Sequence, residues 1–480
     1  MSLGSALNTT KATLSNTALQ TGVVSNNISN AGSTDYNRRT AVTTTSASSG
    51  AVIVKIERAE DQALLKQALS AMSDDAGKQK FLDGMNSLSV VLGGEEYTAA
   101  PATYLAALQN SLQTYAASPS DVTLASAVIS AASDVTTALN TSTRSVQQLR
   151  TDADGEISDT VDKLNRLLSD FEKANSEITA ATAAGRDANN AIDRREGLLK
   201  EISGIVGIST AVRTNNDMVI YTTDSTTLFE TNARKISFEP MAAYDATATG
   251  NAIFIDGVAV KTGSGSNTTA KGSLPALLQL RDQVYPGYQS QLDEIARSIM
   301  SAFAETDAGG DAIAGLFTTN NGSVPDFKTA EIVQGLAGLI TVSPNAIASP
   351  IKLRDGNVAG DSPNTQGSTG YSDLLLKYAK ALNTQVDFDP KAGISTNVTL
   401  LSFAADSAGW VEEYRSNATN SAENTSAMLN KAKESYSNAT GVNLDEELIQ
   451  MLDIEQSYKA AAKLMSTIDD LLKTLLEAAN

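Results

Sequence analysis

The strongest constraint on this chain is a pair of apolar stripes at helical spacing, one opening the sequence and one closing it. Leu3, Leu7, Leu14, Ala18, Thr21, Val24 and Ile28 recur at three- and four-residue steps, in places with a turn skipped. Leu444, Leu448, Met451, Tyr458, Ala462, Met465, Ile468, Leu472, Leu475 and Ala479 do the same over about ten turns. Neither stripe has a local partner, and an isolated helix with one apolar seam is marginal in water. The two are therefore expected to pack on each other, on other copies of the chain, or on both.

Between them the period changes repeatedly. A turn-rich break covers residues 26–39, a Thr/Ser-rich stretch 40–50, and a short extended segment 51–56. Residues 61–205 are predominantly helical. Val128, Val135, Leu139, Val146, Leu149, Ile157, Val161, Leu164, Leu168, Phe171 and Ile178 keep a near-heptad rhythm that predicts one long rod over 122–184, with an antiparallel helix over 192–205. At Ile208 the period becomes two. Strands are expected at 208–213, 218–222, 227–230, 236–239 and 253–260, with Asp256-Gly257 suited to a tight hairpin turn. Helix returns at Ser273, read as an N-cap, and Pro286 predicts a kink.

These patterns give a mainly α fold with an inserted β-rich domain, nested in sequence. A terminal helical domain spans 1–60 and 438–480, and a long-helix bundle spans 61–207, 271–305 and 398–437. A β-rich insert covers 208–270. Residues 306–397 are rich in Gly, Ser, Asn and Pro and read as loops or a second small insert.

Composition narrows the chemistry. Lys+Arg number 36 against 55 Asp+Glu, a formal charge of −19, which argues against a nucleic-acid groove because phosphate contacts need clustered cations. With neither Cys nor His, the chain has no thiol nucleophile, no disulfide, no imidazole base and none of the commonest zinc ligands. No cofactor and no metal are expected. Asp152-Ala153-Asp154-Gly155-Glu156 lacks the further oxygen ligands of a calcium loop and reads as a solvated helical face. Asp445, Glu446 and Glu447 open the closing helix, where carboxylates favour the exposed amides and the dipole. Trp410 reads as packed in a helix interface. Residues 1–30 lack the apolar run of a cleaved secretory signal, and no stretch approaches a bilayer-spanning length of apolar residues, so no membrane partner is expected.

Four segments carry a resemblance. Ser25-Asn26-Asn27-Ile28-Ser29-Asn30 followed by Tyr36-Asn37-Arg38 resembles the N-terminal signature of the flagellar axial proteins, the rod, hook and hook-associated subunits. Gly441-Val442-Asn443-Leu444-Asp445-Glu446-Glu447, followed by Glu455-Gln456-Ser457-Tyr458-Lys459-Ala460-Ala461-Ala462-Lys463-Leu464, is similar to their C-terminal signature. Ile192-Asp193-Arg194-Arg195-Glu196-Gly197-Leu198-Leu199 and Gly272-Ser273-Leu274-Pro275-Ala276-Leu277-Leu278-Gln279-Leu280-Arg281-Asp282 resemble the hook-associated branch. Family members often carry Gly before the tyrosine, where this chain has Asp35, so a different local turn is expected.

The resemblance implies terminal helices forming an inner coiled-coil layer, with helical rods next and inserts outward. It implies a non-enzymatic structural subunit at the junction of hook and filament. The implied partners are further copies of itself, hook protein, the third hook-associated protein, and an export chaperone engaging the C-terminal region. It also implies type III export without a cleaved signal peptide, to an extracellular place in the flagellum. The expected assembly interface comprises Leu3, Leu7, Leu14, Val24, Asn27, Ile28, Asn30, Tyr36, Arg38, Leu444, Leu448, Met451, Tyr458, Met465, Ile468, Leu472 and Leu475. Two rivals remain. One is another axial subunit, such as hook protein, flagellin or the third hook-associated protein. The other is a carboxylate-dependent glycosidase drawing on Asp217, Asp224, Glu230, Glu239 and Asp256, although nothing in the sequence sets two of them at a working separation.

Overall fold

The computed structural model describes residues 3–46 and 50–479. The long helices are α1 (Leu3–Ser29), α2 (Gln62–Val91), α3 (Pro101–Ala117), α4 (Val122–Ala183), α5 (Asn189–Ile205), α6 (Ser273–Gln279) continuing as α7 (Tyr285–Ala302), and, after four short helices α8 to α11 (Leu336–Leu339, Pro344–Ala348, Lys352–Asp355, Asp373–Ala381), α12 (Leu400–Thr440) and α13 (Leu444–Ala479). The strands are short and pair antiparallel in small sheets: β1 (Arg39–Ser46) with β2 (Gly50–Arg58), β3 (Ile208–Val212) with β4 (Met218–Thr222) and β5 (Thr227–Phe229), and β6 (Ile236–Ser237) with β7 (Phe254–Ile255) and β8 (Val258–Ala259). The fold is mainly α with β inserts.

The described residues form two compact units, and the chain passes between them four times. One unit holds Met1–Asp74, Leu164–Lys235 and Thr425–Asn480; the other holds Asp75–Lys163 and Ile236–Asn424. The strands expected over 208–260 therefore belong to two sheets in different units, and 208–270 divides between Lys235 and Ile236. Residues 40–46 and 50–56, expected to be a loop with one extended segment, pair as the β1–β2 ribbon. Threonine-rich β1 finds its partner in the Val/Ile-rich β2, a pairing that the stretch 40–50 alone does not reveal.

In the first unit α1 and α13 pack against each other. Asn27, near the end of α1, meets Glu447, in the first turn of α13, so the pair runs antiparallel. The covered seam keeps a seven-residue step on both helices: Thr10, Thr17 and Val24 on α1, and Glu447, Ile454, Ala461 and Ile468 on α13. Two of those α1 positions are threonines whose hydroxyls bond back to the carbonyls of Ala6 and Leu14, leaving only a methyl for the seam.

In the second unit the core gathers on α7, which is buried along nearly its whole length from Tyr288 to Met300. Pro286, where the sequence predicts a kink, lies in the first turn of α7, and helix is continuous through it from Ser273 to Ala302. A π turn at Leu280–Val284 absorbs the missing donor, with Tyr285 N–H reaching back five residues to Leu280 O. The next bond of that pattern, from 286 to Arg281 O, cannot form because residue 286 is proline, and Arg150 Nε takes the freed carbonyl at 3.2 Å. Ser273 is the first residue of α6 rather than its cap. The cap position is Gly272, at φ 95°, with no side-chain bond. Gly77 on α2 admits the same segment closely, since a Cβ there would lie 2.4 Å from Ala270 O.

The reading of 152–156 as a solvated face holds for the exposed Asp152, Gly155 and Glu156 but not for Asp154. Fully buried, it accepts from Arg281 Nη1 (2.5 Å), Tyr244 Oη (2.7 Å) and the Met241 amide (2.6 Å), fastening residues 241–245 to α4. Trp410 sits beside Tyr414 on α12 and faces Gly287 of α7, in a helix interface as expected. By length and composition α4 also passes as a membrane span, contrary to the expectation that no stretch would. Its apolar face, including Val128, Ala132, Val135 and Leu139, is nonetheless covered by the bundle.

On α7, Asp293 accepts from Gln289 Nε2 and from the amides of Gly335 and Ala337, holding the start of α8. Burial pushes its carboxyl up to about 7 against those donors. A folded-state pKa above the unfolded value means that the folded chain binds the proton more tightly, so this contribution is present at low pH and lost as pH rises from about 4 through 7. Denaturant melts at pH 5 and pH 8 should show a loss on the order of 2 kcal/mol on going to pH 8, and Asp293→Asn, though less stable throughout, should lack that component.

Candidate assembly interface

The turn after α1 brings three of the sequence signatures to one place. Asn27 is fully buried at the end of α1, and all four of its side-chain hydrogen-bonding positions are used. Its Nδ2 donates to Arg39 O (2.8 Å) and Glu447 Oε2 (2.9 Å), while its Oδ1 accepts from Tyr36 Oη (2.8 Å) and the Arg39 amide (3.1 Å). Arg38 is the second hub. Its amide donates to Thr440 O at the end of α12, its carbonyl accepts from Ala59 N beyond β2, and its Nε donates to Glu447 Oε1 at 2.7 Å. Nη1 reaches the exposed Glu446 at 3.0 Å.

Glu447 is therefore not the capping carboxylate expected from its position. The cap is Asn443, whose Oδ1 accepts from the amides of Asp445 (3.0 Å) and Glu446 (3.4 Å). Glu447 points inward instead, wholly buried, with one oxygen on Asn27 and the other on Arg38.

A second charged cluster adjoins the first. Arg58, at the end of β2, donates through Nη1 and Nη2 to Glu196 (2.9 and 2.5 Å) and through Nε to Asp193 (2.6 Å). Arg39 shares Asp193 at 2.7 Å and covers the ring of Tyr36 at 4.8 Å. Tyr436 of α12 donates to Glu196 (2.7 Å) and accepts from Asn37 Nδ2 (2.9 Å). Burial, reinforced by the Glu196 charge, pushes its hydroxyl up to about 12. Asp35 sits on ordinary backbone, outside the positive-φ region, and accepts from Lys200 at 2.9 Å, so no glycine is needed before Tyr36. In the Arg194-Arg195 pair, Arg195 is buried on Asn175 and Asn216, and burial pulls it down to about 10.

The expected interface residues separate by exposure. Val24, Asn27 and Ile468 are buried, and Leu3, Leu7, Leu14, Ile28, Asn30, Tyr36, Arg38, Met451 and Met465 are half-buried. Leu444, Leu448, Tyr458, Leu472 and Leu475 stand exposed, Leu475 at 61%, together with Leu464, Leu471 and Leu476. Sequence reasoning missed Arg58, Asp193, Glu196 and Tyr436 as partners. Their only signal was opposite charge in separated motifs, Arg38, Arg39 and Arg58 against Asp193 and Glu196. Of the carboxylates weighed for glycosidase chemistry, Asp217 is held by Asn175 (2.6 Å) and Glu230 by Arg213 (2.8 Å). Among the described residues no group of acidic side chains is placed to hold a metal.

The α1–α13 pair is thus locked by Asn27, Arg38 and Glu447, which belong to the two terminal segments that resemble the flagellar axial proteins. The comparisons agree. A family model described as the flagellar hook-associated protein FlgK helical domain matches residues 85–320, and one described as the flagellar basal body rod FlgEFG protein C-terminal matches 433–478. The chain is similar to flagellar hook-associated protein 1 of Bacillus subtilis, at 24% identity over 76% of this chain and 74% of that one. It is similar also to the proteins of that name from Escherichia coli, at 22% identity over 98% of each chain, and Salmonella typhimurium, at 22% over 94% and 96%. A solved structure titled as the flagellar hook junction protein FlgK from Burkholderia pseudomallei aligns with 53% of this chain and 47% of its own, with a TM-score of 0.43 and 20% identity. Within the axial class, the chain is a relative of flagellar hook-associated protein 1, with a structural role in the bacterial flagellum.

Removing one partner of a buried ion pair leaves the other charge uncompensated. Arg58→Ala should therefore cost about 3–5 kcal/mol in denaturant melts of the full chain. Arg194→Ala, whose ion pair with Glu177 is exposed, should cost less than about 1 kcal/mol.

Proposed function

We propose that this chain is a mechanical subunit of the junction between flagellar hook and filament. Neighbouring copies seal against one another through the exposed face of α13. One observation carries the reading. After α13 has packed on α1, Leu444, Leu448, Leu464, Leu471, Leu475 and Leu476 remain in water on the same helix. An apolar surface of that extent marks an interaction site, and each leucine contributes roughly 1.5–3 kcal/mol on full burial. A patch on one copy meeting a different patch on the next does not close on itself and builds a helical tube.

The family resemblance supplies the neighbours: hook protein on one side, the third hook-associated protein on the other, and an export chaperone on the C-terminal region beforehand. Export through the flagellar type III apparatus, without signal cleavage, belongs to the same proposal. So does the absence of catalysis, which the engagement of Asp217 and Glu230 in structural contacts supports.

Two experiments test it. Leu464→Ser, Leu471→Ser and Leu476→Ser together should leave far-ultraviolet dichroism and thermal melting of the free chain nearly unchanged and abolish its incorporation. A strain lacking the chain should make hooks without filaments and shed filament subunits into the medium. Normal filaments from either strain would contradict the proposal.

A further inference from the structure

Part of the loop-rich stretch 306–397 is built as the wall of a cavity in the second unit. The buried Glu305 accepts from three successive amides, Val358 (3.2 Å), Ala359 (2.8 Å) and Gly360 (2.7 Å), and Thr306 O accepts from the Asp361 amide at 3.1 Å. Two glycines let this wall close. A Cβ on Gly360 would lie 2.6 Å from Thr306 O, and one on Gly356, at φ 69°, would lie 2.6 Å from Pro363 Cδ and 2.7 Å from Leu374 Cδ2. Further along, Asn364 donates to Asp355 (2.7 Å) and Ser368 O (2.9 Å) and accepts from the Ser368 amide (2.9 Å), while Arg354 donates to Thr369 O at 3.2 Å. The loop from Gly356 to Thr369 is therefore fixed by its own bonds, as a preformed site requires.

Helix α11 faces this loop. Its inner side is core, with Leu374, Leu375 and Tyr378 buried and the Tyr378 ring stacked on Phe303 at 4.8 Å. Loop and helix together line a cavity of about 320 Å³. Leu374, Pro363 and Tyr378 give it apolar surface, and Asp361, Asp373 and Lys377 give it charge. Asp373 and Lys377 stand one turn apart on α11, the spacing at which opposite charges usually pair. They form no ion pair, and none of the three charged side chains has a hydrogen-bond partner among the described residues.

The volume lies at the lower end of the roughly 300–1,000 Å³ of ligand cavities, which leaves room for one small ring. The charges select its chemistry. An anion would face two carboxylates, a cation would leave Lys377 uncompensated, and an apolar ligand would strip water from all three. A hydroxyl both donates and accepts, so neighbouring hydroxyls on one molecule satisfy the carboxylates and the ammonium together. We infer that this cavity binds a saccharide: Asp361 and Asp373 accept from its hydroxyls, Lys377 donates to them, and Leu374 and Pro363 meet the C–H face of the ring. No residue of the proposed assembly surface takes part, so the site stands or falls independently of the junction reading.

Saturation-transfer NMR on the full-length chain tests it. The probes are glucose, galactose, mannose and N-acetylglucosamine, each free and as its methyl glycoside, with glycine and lysine in parallel as a zwitterion and a cation. At least one sugar should receive transfer at its ring protons, with a Kd in the millimolar range or below. Transfer to its methyl glycoside as well marks the end of a longer glycan as the source, and transfer to the free sugar alone marks a soluble monosaccharide. Asp361→Asn with Asp373→Asn should weaken binding about tenfold or more and leave the thermal melt unchanged, because neither carboxylate is bonded within the chain. Lys377→Met, at an exposed position, should weaken it in the same way. Asp159→Asn with Asp162→Asn removes the same charge from an exposed face of α4 and should leave the affinity within about twofold. No transfer from any sugar, transfer that the Asp361 and Asp373 variant leaves intact, an equal loss in the Asp159 and Asp162 variant, or transfer from glycine or lysine in place of the sugars would each overturn the inference.

Discussion

A carboxylate with no exposure to water organises the first unit. Burying Glu447 is costly unless both oxygens are bonded, and Asn27 and Arg38 bond both. Those two residues are in turn fixed by the turn at residues 30–37, the base of the β1–β2 ribbon and the end of α12. Segments separated by some four hundred residues of sequence, |i−j| being 420 for Asn27 and Glu447, are thereby held at bond distance. The adjoining Arg58, Glu196, Asp193 and Tyr436 cluster extends the network to α5, so the ribbon is fastened on two sides by charge rather than by apolar packing.

Much of the secondary structure was legible because its periods were long. The rhythm from Val128 to Ile178 is one helix, and the hairpin at Asp256-Gly257 forms with both residues at positive φ. The ribbon was not legible, because threonine-rich β1 has no alternation of its own and gains its identity from β2. The π turn before Pro286 was missed because a proline marks a lost donor, and only the tertiary partner, Arg150, shows how the loss is absorbed.

The candidate interface was legible in part, and the reason is one of register. The stripe chosen on α13 joined Leu444, Leu448, Met451, Tyr458, Ala462, Met465, Ile468, Leu472, Leu475 and Ala479, and of these Ile468 is in the buried seam that meets α1, which steps from Glu447 through Ile454 and Ala461 to Ile468. Both patterns are apolar and helical, so periodicity alone cannot separate them. The deciding residue is Glu447, which hydropathy places outside and hydrogen bonding places inside. The signature residues Asn27, Tyr36 and Arg38 were recognised by resemblance; their physical task, to receive that carboxylate, emerged only from geometry.

Helix α13 thus has two faces with different partners: one turned to α1 of its own chain, the other left in water and, in this account, reserved for a second copy. The absence of cysteine from the chain makes the second face directly measurable. With Leu476→Cys as the sole thiol, a maleimide should label the free chain rapidly and intact purified flagella hardly at all. Equal labelling in the two states would contradict the claim that this face is sealed against a sister molecule.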